Sequence, residues 1–265
     1  MVCDNMVATL NPSFLNHIYL FSFLFMPSNI LFRQLFDEKT WTYSYLVGDT
    51  NTWSALIIDP VLDQVDRDLK LTSELWLTLT HIFDTHIHAD HITGSGVLRD
   101  RTWAKIVMGT GAAVAQPDIL LADNEVIRVG SIDVRSFATP GHTDGCTSYL
   151  IEDMIFTGDT LLIRKTGRTD FQQWSPAKLH QSITKLYTLP DTTRVYPGHD
   201  YQGLTMSTIG EEKLYNTRMR SDTSVEELTE TMHRLKLEYP KYIDIALPAN
   251  MKLGIVSSDN TSMQW

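Results

Sequence analysis

Apolar and polar positions alternate first between Trp41 and Pro60, where WTYSYLVGD, a polar Thr-Asn-Thr tip and WSALIIDP predict two strands joined as a hairpin. Charges and leucines then recur at helical spacing from Asp63 to Leu75, and LTLTHIFDTH returns to a β-rich run that ends in a polar loop. Further short strands are predicted at Ile106 to Met108, Val126 to Val129, Ile132 to Ala138, Ser148 to Ile151, Met154 to Phe156 and Arg194 to Tyr196, separated by Gly, Asp and Pro. Ser175-Pro176 opens a helix running to about Tyr187, and from Glu211 onward the chain is polar and helical, with acidic Glu226 to Glu230 starting another helix. No fixed-period repeat and no low-complexity tract interrupts this order. Short strands in both halves with helices between them predict an α/β fold, an αββα sandwich of two packed sheets with helices outside.

Composition narrows the classes. Hydrophobic residues make up 43% and charged residues 20% of 265, so the chain has enough apolar surface for a packed core. The net charge is −10 and no block of Lys and Arg accumulates, which speaks against a nucleic-acid groove. Cys3 and Cys146 lie too far apart to make the disulfide framework of a small secreted domain, and the expectation is a reducing compartment, the cytoplasm. The apolar run Ile18 to Met26 (IYLFSFLFM) is about half of the roughly 20 residues that span a bilayer, and no Lys or Arg precedes Arg33, so neither a membrane span nor a basic leader is expected.

The chemistry concentrates after the strand that precedes Thr85. THIHADHITG, Thr85 to Gly94, places His86, His88, Asp90 and His91 within six residues. At a strand end His86 and His88 share one side, and the following turn can bring Asp90 and His91 over the same cavity. His142 in ATPGHTDG, Asp159 in FTGDTLL and His199 in YPGHDY each follow a β-rich run and sit beside a glycine. Singly, each is as well explained as a turn residue, a helix cap or a satisfied polar group. Together they would cost several kcal/mol to bury unless something coordinated them, and a metal is the economical explanation.

In this order, HxHxDH, then His, Asp and His, the chain resembles the metallo-β-lactamase superfamily from roughly Phe32 to Ile255. GDTLLIRKTGRTDFQ, DHITGSG, YPGHDYQG and LPANM resemble the persulfide dioxygenases, relatives of glyoxalase II. GRTDFQ stands where glyoxalase II has a CGR-F-EG type sequence, and the long helical substrate domain expected there is missing. The resemblance implies one Fe(II) per chain, held by His86, His142 and Asp159 with three positions open for substrate and oxygen. It makes His88, Asp90, His91, His199 and Tyr201 catalytic groups around that metal rather than ligands. The residues alone equally allow them to build a second site, with Zn²⁺ activating water as in a glyoxalase II-like thioester hydrolase. A non-catalytic metal-binding or sensor protein is the third reading.

The implied reaction oxidises glutathione persulfide with O₂ and water to sulfite and glutathione. Its carboxylates call for cationic or hydrogen-bonding partners, for which Arg168, Tyr201 and Arg218 are the candidates. Arg168 could equally brace the Asp159 loop. Arg164 and Lys165 are expected on a solvated loop, and Cys146 as a buried packing residue. Relatives imply a homodimer, and with fourteen residues after Met251 any sulfurtransferase partner is expected to be a separate chain. Residues 1–25 are expected to be an extension, disordered or a start-site artefact, before a single domain spanning 26–265.

Overall fold

Alternation along the first strands sets the layering: Tyr45 and Val47 pack to one side of their strand and Leu46 to the other, and Leu56 and Ile58 oppose Ala55 and Ile57 in the same way. The computed structural model describes residues 29–114, 116–170 and 175–255. The behaviour expected of residues 1–25 lies outside them.

One sheet runs in the order β1 (Ile30–Asp37), β2 (Thr42–Asp49), β3 (Ser54–Ile58), β4 (Thr78–Phe83), β5 (Lys105–Gly109), β6 (Ile119–Leu121). Its first two pairings are antiparallel and the other three parallel. The second sheet contains β7 (Val126–Val129), β8 (Ile132–Ala138), β9 (Thr147–Ile151), β10 (Met154–Gly158), β13 (Arg194–Pro197) and β14 (Ser207–Thr208), in the order β14-β13-β10-β9-β8-β7. β11 (Leu161–Leu162) and β12 (Lys165–Thr166) make a small ribbon beside it. The helices are α1 (Val65–Glu74), α2 (Ser95–Thr102), α3 (Pro176–Leu186), α4 (Ile209–Tyr215), α5 (Val225–Arg234) and α6 (Ile243–Asn250).

The central core joins the facing sides of the sheets, with Tyr45, Leu56, Phe83 and Val107 meeting Val134, Tyr149, Phe156 and Tyr196. Val65 and Leu98 from α1 and α2 cover the far side of the first sheet. Leu179, Ile183 and Leu228 from α3 and α5 cover the far side of the second. This is the expected αββα sandwich. β7 and β8 match their predicted limits to the residue. The sequence reading missed β1, β6, the two-residue strands and α2, and it read the chain beyond Glu211 as helical without marking α6. SGVLRDRT in α2 has only two adjacent apolar residues and hence no helical period, while Pro248 inside α6 resembles a helix stop.

Candidate metal centre

Four loops meet at one edge of the sandwich, each leaving a strand at its C-terminal end: Asp84 to His91 after β4, Thr139 to His142 after β8, Asp159 after β10 and His199 after β13. Because β10 and β13 are parallel neighbours, their following loops emerge side by side. Glycine permits the crowding. Gly158 has φ +49°, and a side chain there would meet the Thr85 hydroxyl, while one at Gly198 would meet the Asp159 carboxylate.

The ligand atoms of His86, His142 and Asp159 lie within 4.8 Å of one another, and those of His88, Asp90 and His91 form an adjoining group of the same size. Hydrogen bonds settle which ring nitrogens face inward. Asp59, buried after β3, accepts the Thr85 N–H at 2.7 Å and the Thr85 hydroxyl at 2.8 Å. With its proton so used, the Thr85 oxygen accepts from His86 Nδ1–H at 2.9 Å, leaving Nε2 of His86 as a free lone pair. His142 Nδ1–H donates to the Arg168 carbonyl at 2.8 Å, again freeing Nε2, which stands 3.7 Å from Asp159 Oδ2. His88 Nε2–H donates to Asp59 at 3.1 Å. Three buried atoms are left without a hydrogen-bond partner in this cluster: Asp159 Oδ1, His88 Nδ1 and His91 Nε2. Buried polar atoms are rarely orphaned, so these donors fit a bound cation.

Electrostatics prepare the same state. Burial, reinforced by neighbouring imidazoles, holds His86 and His88 well below the ordinary histidine range, so both are neutral at pH 7. Burial alone would raise Asp90 and Asp159, but His199 beside both, with His91 at Asp90 and His142 at Asp159, outweighs it and keeps them ionised. Burial opposes the charge on His199, yet Asp159 and Asp90 hold it up at about 10. Its Nε2 lies 3.6 Å from Asp159 and 3.5 Å from Asp90, and its Nδ1–H donates to the Trp41 carbonyl.

Tyr201 stacks parallel to His199 with centroids 6.2 Å apart, and more than half of it is exposed at the mouth. The Arg168 guanidinium forks onto Asp170 at 2.5 and 2.6 Å and donates to the Glu238 carbonyl, while its own carbonyl holds His142 and the adjacent Gly167 N–H holds the Asp159 carbonyl. Arg218 donates to the Thr166 carbonyl at 2.6 Å. Arg164 is not a solvated loop residue: its guanidinium pairs with Glu211 and with the fully buried Glu212, tying the β11–β12 ribbon to α4. Cys146 is buried as expected, with its thiol pushed up to about 12.

Sequence reasoning missed Asp59 and the role of Asn250. Asn250 donates to the carbonyls of His88 and His91 at 2.9 and 2.8 Å and accepts the Thr93 N–H at 2.9 Å, which pins the whole HxHxDH loop. LPANM carried the signal, without a physical role attached.

Residues 42–199 match the profile of the metallo-beta-lactamase superfamily. A relative named "Persulfide dioxygenase ETHE1, mitochondrial" from Mus musculus is 45% identical over 229 residues, covering 85% of this chain and 89% of that protein. "Glyoxylase B2" from Dictyostelium discoideum is 31% identical, covering 83% and 90%. The crystal structure of ETHE1 from Myxococcus xanthus superposes with a TM-score of 0.83 at 51% identity, covering 85% of this chain and 100% of that one. Among the described residues, no helix is long and apolar enough to cross a membrane.

Proposed function

The chain belongs to the metallo-β-lactamase superfamily, and we propose that within it this protein is a persulfide dioxygenase, a non-haem iron oxidoreductase acting on glutathione persulfide. The observation that carries this reading is the convergence of two imidazoles and one carboxylate, His86, His142 and Asp159, with both Nδ1 atoms occupied and both Nε2 atoms free. Such a set suits Fe(II), which would supply the electron chemistry toward O₂ that Zn²⁺ lacks.

The protein's own groups do the rest. Both oxygen atoms go to the outer sulfur of the persulfide, and water then releases sulfite and restores the thiol. Protonated His199, its Nε2 turned toward Asp90 and Asp159, holds a proton beside the open side of the triad. Asp59 fixes His86 through Thr85 and fixes His88 directly. His88, Asp90 and His91 keep the wall of the site polar and positioned. Arg168 braces the loop through its carbonyl rather than meeting substrate with its guanidinium, since that group is already forked onto Asp170. Tyr201 at the mouth and Arg218 are left to orient the peptide part of the substrate. We place the reaction in the cytoplasm. Cell fractionation tests the compartment, since the mouse relative's name carries the word mitochondrial.

One observation favours a second reading. His88 Nδ1 and His91 Nε2 are orphaned beside Asp90, as a second metal would require, and a glyoxalase II-like zinc hydrolase would use both sites. Metal analysis after anaerobic reconstitution with iron or zinc separates the two: about one iron per chain supports the dioxygenase, and about two zinc ions with thioester hydrolysis support the hydrolase.

A further inference from the structure

A cavity separate from the mouth reaches the same polar cluster. Trp41, between β1 and β2, leans on Tyr201 at the mouth with ring centroids 6.2 Å apart, whereas Lys39 and Thr40 just before it line a cavity of about 60 Å³ that Tyr201 does not touch. Its apolar lining comes from Val61 and Leu62 at the 3-10 turn Leu62–Gln64, from Ile92 beside the HxHxDH loop, and from Ile245 and Ala246 on α6. Asn250, one turn further along α6, donates to the carbonyls of His88 and His91, so the helix that walls the cavity also holds the metal loop against it.

The inner end lies close to the triad. Asp90 and His91 belong to the cavity wall and, with His88, to the polar group beside the triad. Asp90 is 3.5 Å from His199 Nε2, which is 3.6 Å from Asp159, so a single imidazole separates the cavity wall from a residue of the triad. At the outer end Lys39 and Asp63 pair at 2.9 Å with both side chains reaching water, and Ile245 is 40% exposed.

Size and charge decide what can enter. A peptide-sized ligand fills roughly 300 Å³ or more, so the glutathione moiety does not fit. The wall also disfavours anions, since three carboxylates, Asp37, Asp63 and Asp90, stand against one ammonium, Lys39. Burial opposes charge on Asp37, yet donors from Thr40 and Gln64 outweigh it and keep it ionised. A small neutral molecule meets neither restriction. Apolar surface of this kind is poorly hydrated and takes up gases, xenon included. We propose that this cavity is the entry for molecular oxygen, so that gas and persulfide reach the centre by separate routes. The inference rests on the dioxygenase reading and deepens it: a persulfide that fills the mouth leaves the oxygen path open.

Crystals of the metal-loaded protein under xenon pressure test occupancy without turnover, and oxygen-uptake kinetics of Ile245→Trp and Leu62→Trp test the role. Each substitution turns an indole into the cavity from a different wall, at a position only partly buried, so the fold should tolerate it. Melting temperature and iron content are recorded on both, and either folded variant suffices. Xenon is expected against Ile92, Ile245 and Ala246 in the wild type and absent from the variants. In both variants kcat/KM for oxygen is expected to fall about tenfold, while kcat/KM for glutathione persulfide at saturating oxygen holds. A cavity that takes no xenon, a variant that excludes xenon yet keeps its oxygen kinetics, or an equal fall in both kcat/KM values would overturn the proposal. A wild type that holds xenon there but consumes no oxygen would overturn the dioxygenase reading and this role with it, and the xenon distinguishes that failure from a cavity closed to gas.

Discussion

Asp59 is a single carboxylate on which two of the clustered histidines depend, one through Thr85 and one directly. Replacing it with asparagine keeps the shape but removes the charge that makes the imidazoles better donors. Asp59→Asn is expected to weaken metal binding about ten- to a hundredfold with the fold intact. Chelator competition on the folded variant measures this, and unchanged affinity would remove Asp59 from the account. The clustered polar groups of the candidate site were legible in the sequence because imidazoles cluster in THIHADH and because His142, Asp159 and His199 each sit beside glycine after a strand. Asp59 was not legible, since an Asp-Pro at a strand end is ordinary turn chemistry until the chain folds Thr85 and His88 onto it. Arg164 was misread for a similar reason: a charge after Leu161, Leu162 and Ile163 looks solvated until α4 supplies Glu212.

At the level of elements, α6 acts as a latch on the metal loop, and α1 carries a buried acid. Asn250→Ala strips both donors from the His88 and His91 carbonyls and the acceptor from Thr93, and is expected to destabilise the protein by about 1–3 kcal/mol while loosening the metal. Denaturant unfolding with and without metal checks both effects. Asp68 in α1 is pushed up from 3.8 to about 6, chiefly by burial, with Arg67 opposing. The folded state thus favours the protonated form, so this group's contribution is fully present below about pH 4 and is lost as pH rises through about 6. Wild-type stability should fall relative to Asp68→Asn across that window, by no more than about 3 kcal/mol, and parallel curves would refute the assignment. Most strands were legible from their alternation, and α3 from its Ser-Pro start. α2 was not, and α6 was covered only by the general helical reading beyond Glu211, because tertiary packing rather than periodicity makes them helical.

Across the whole molecule the metal centre joins the two sheets, with His86 following β4 in one and His142 and Asp159 following β8 and β10 in the other. A bound cation therefore staples the layers. Metal loading is expected to raise the melting temperature by several degrees, chelation to reverse it, and His142→Ala to abolish most of the increment. Calorimetry on loaded, chelated and variant protein decides this. The overall sandwich was legible because strand and helix signals fill both halves of the chain. The central claim is that the triad serves oxygen chemistry on a persulfide. Its most direct test is oxygen uptake by anaerobically iron-loaded protein on addition of glutathione persulfide, with metal content determined on the same sample. Uptake is expected, with sulfite formed in step with oxygen consumed and about one iron per chain. No uptake, together with about two zinc ions per chain and hydrolysis of S-lactoylglutathione, would contradict it.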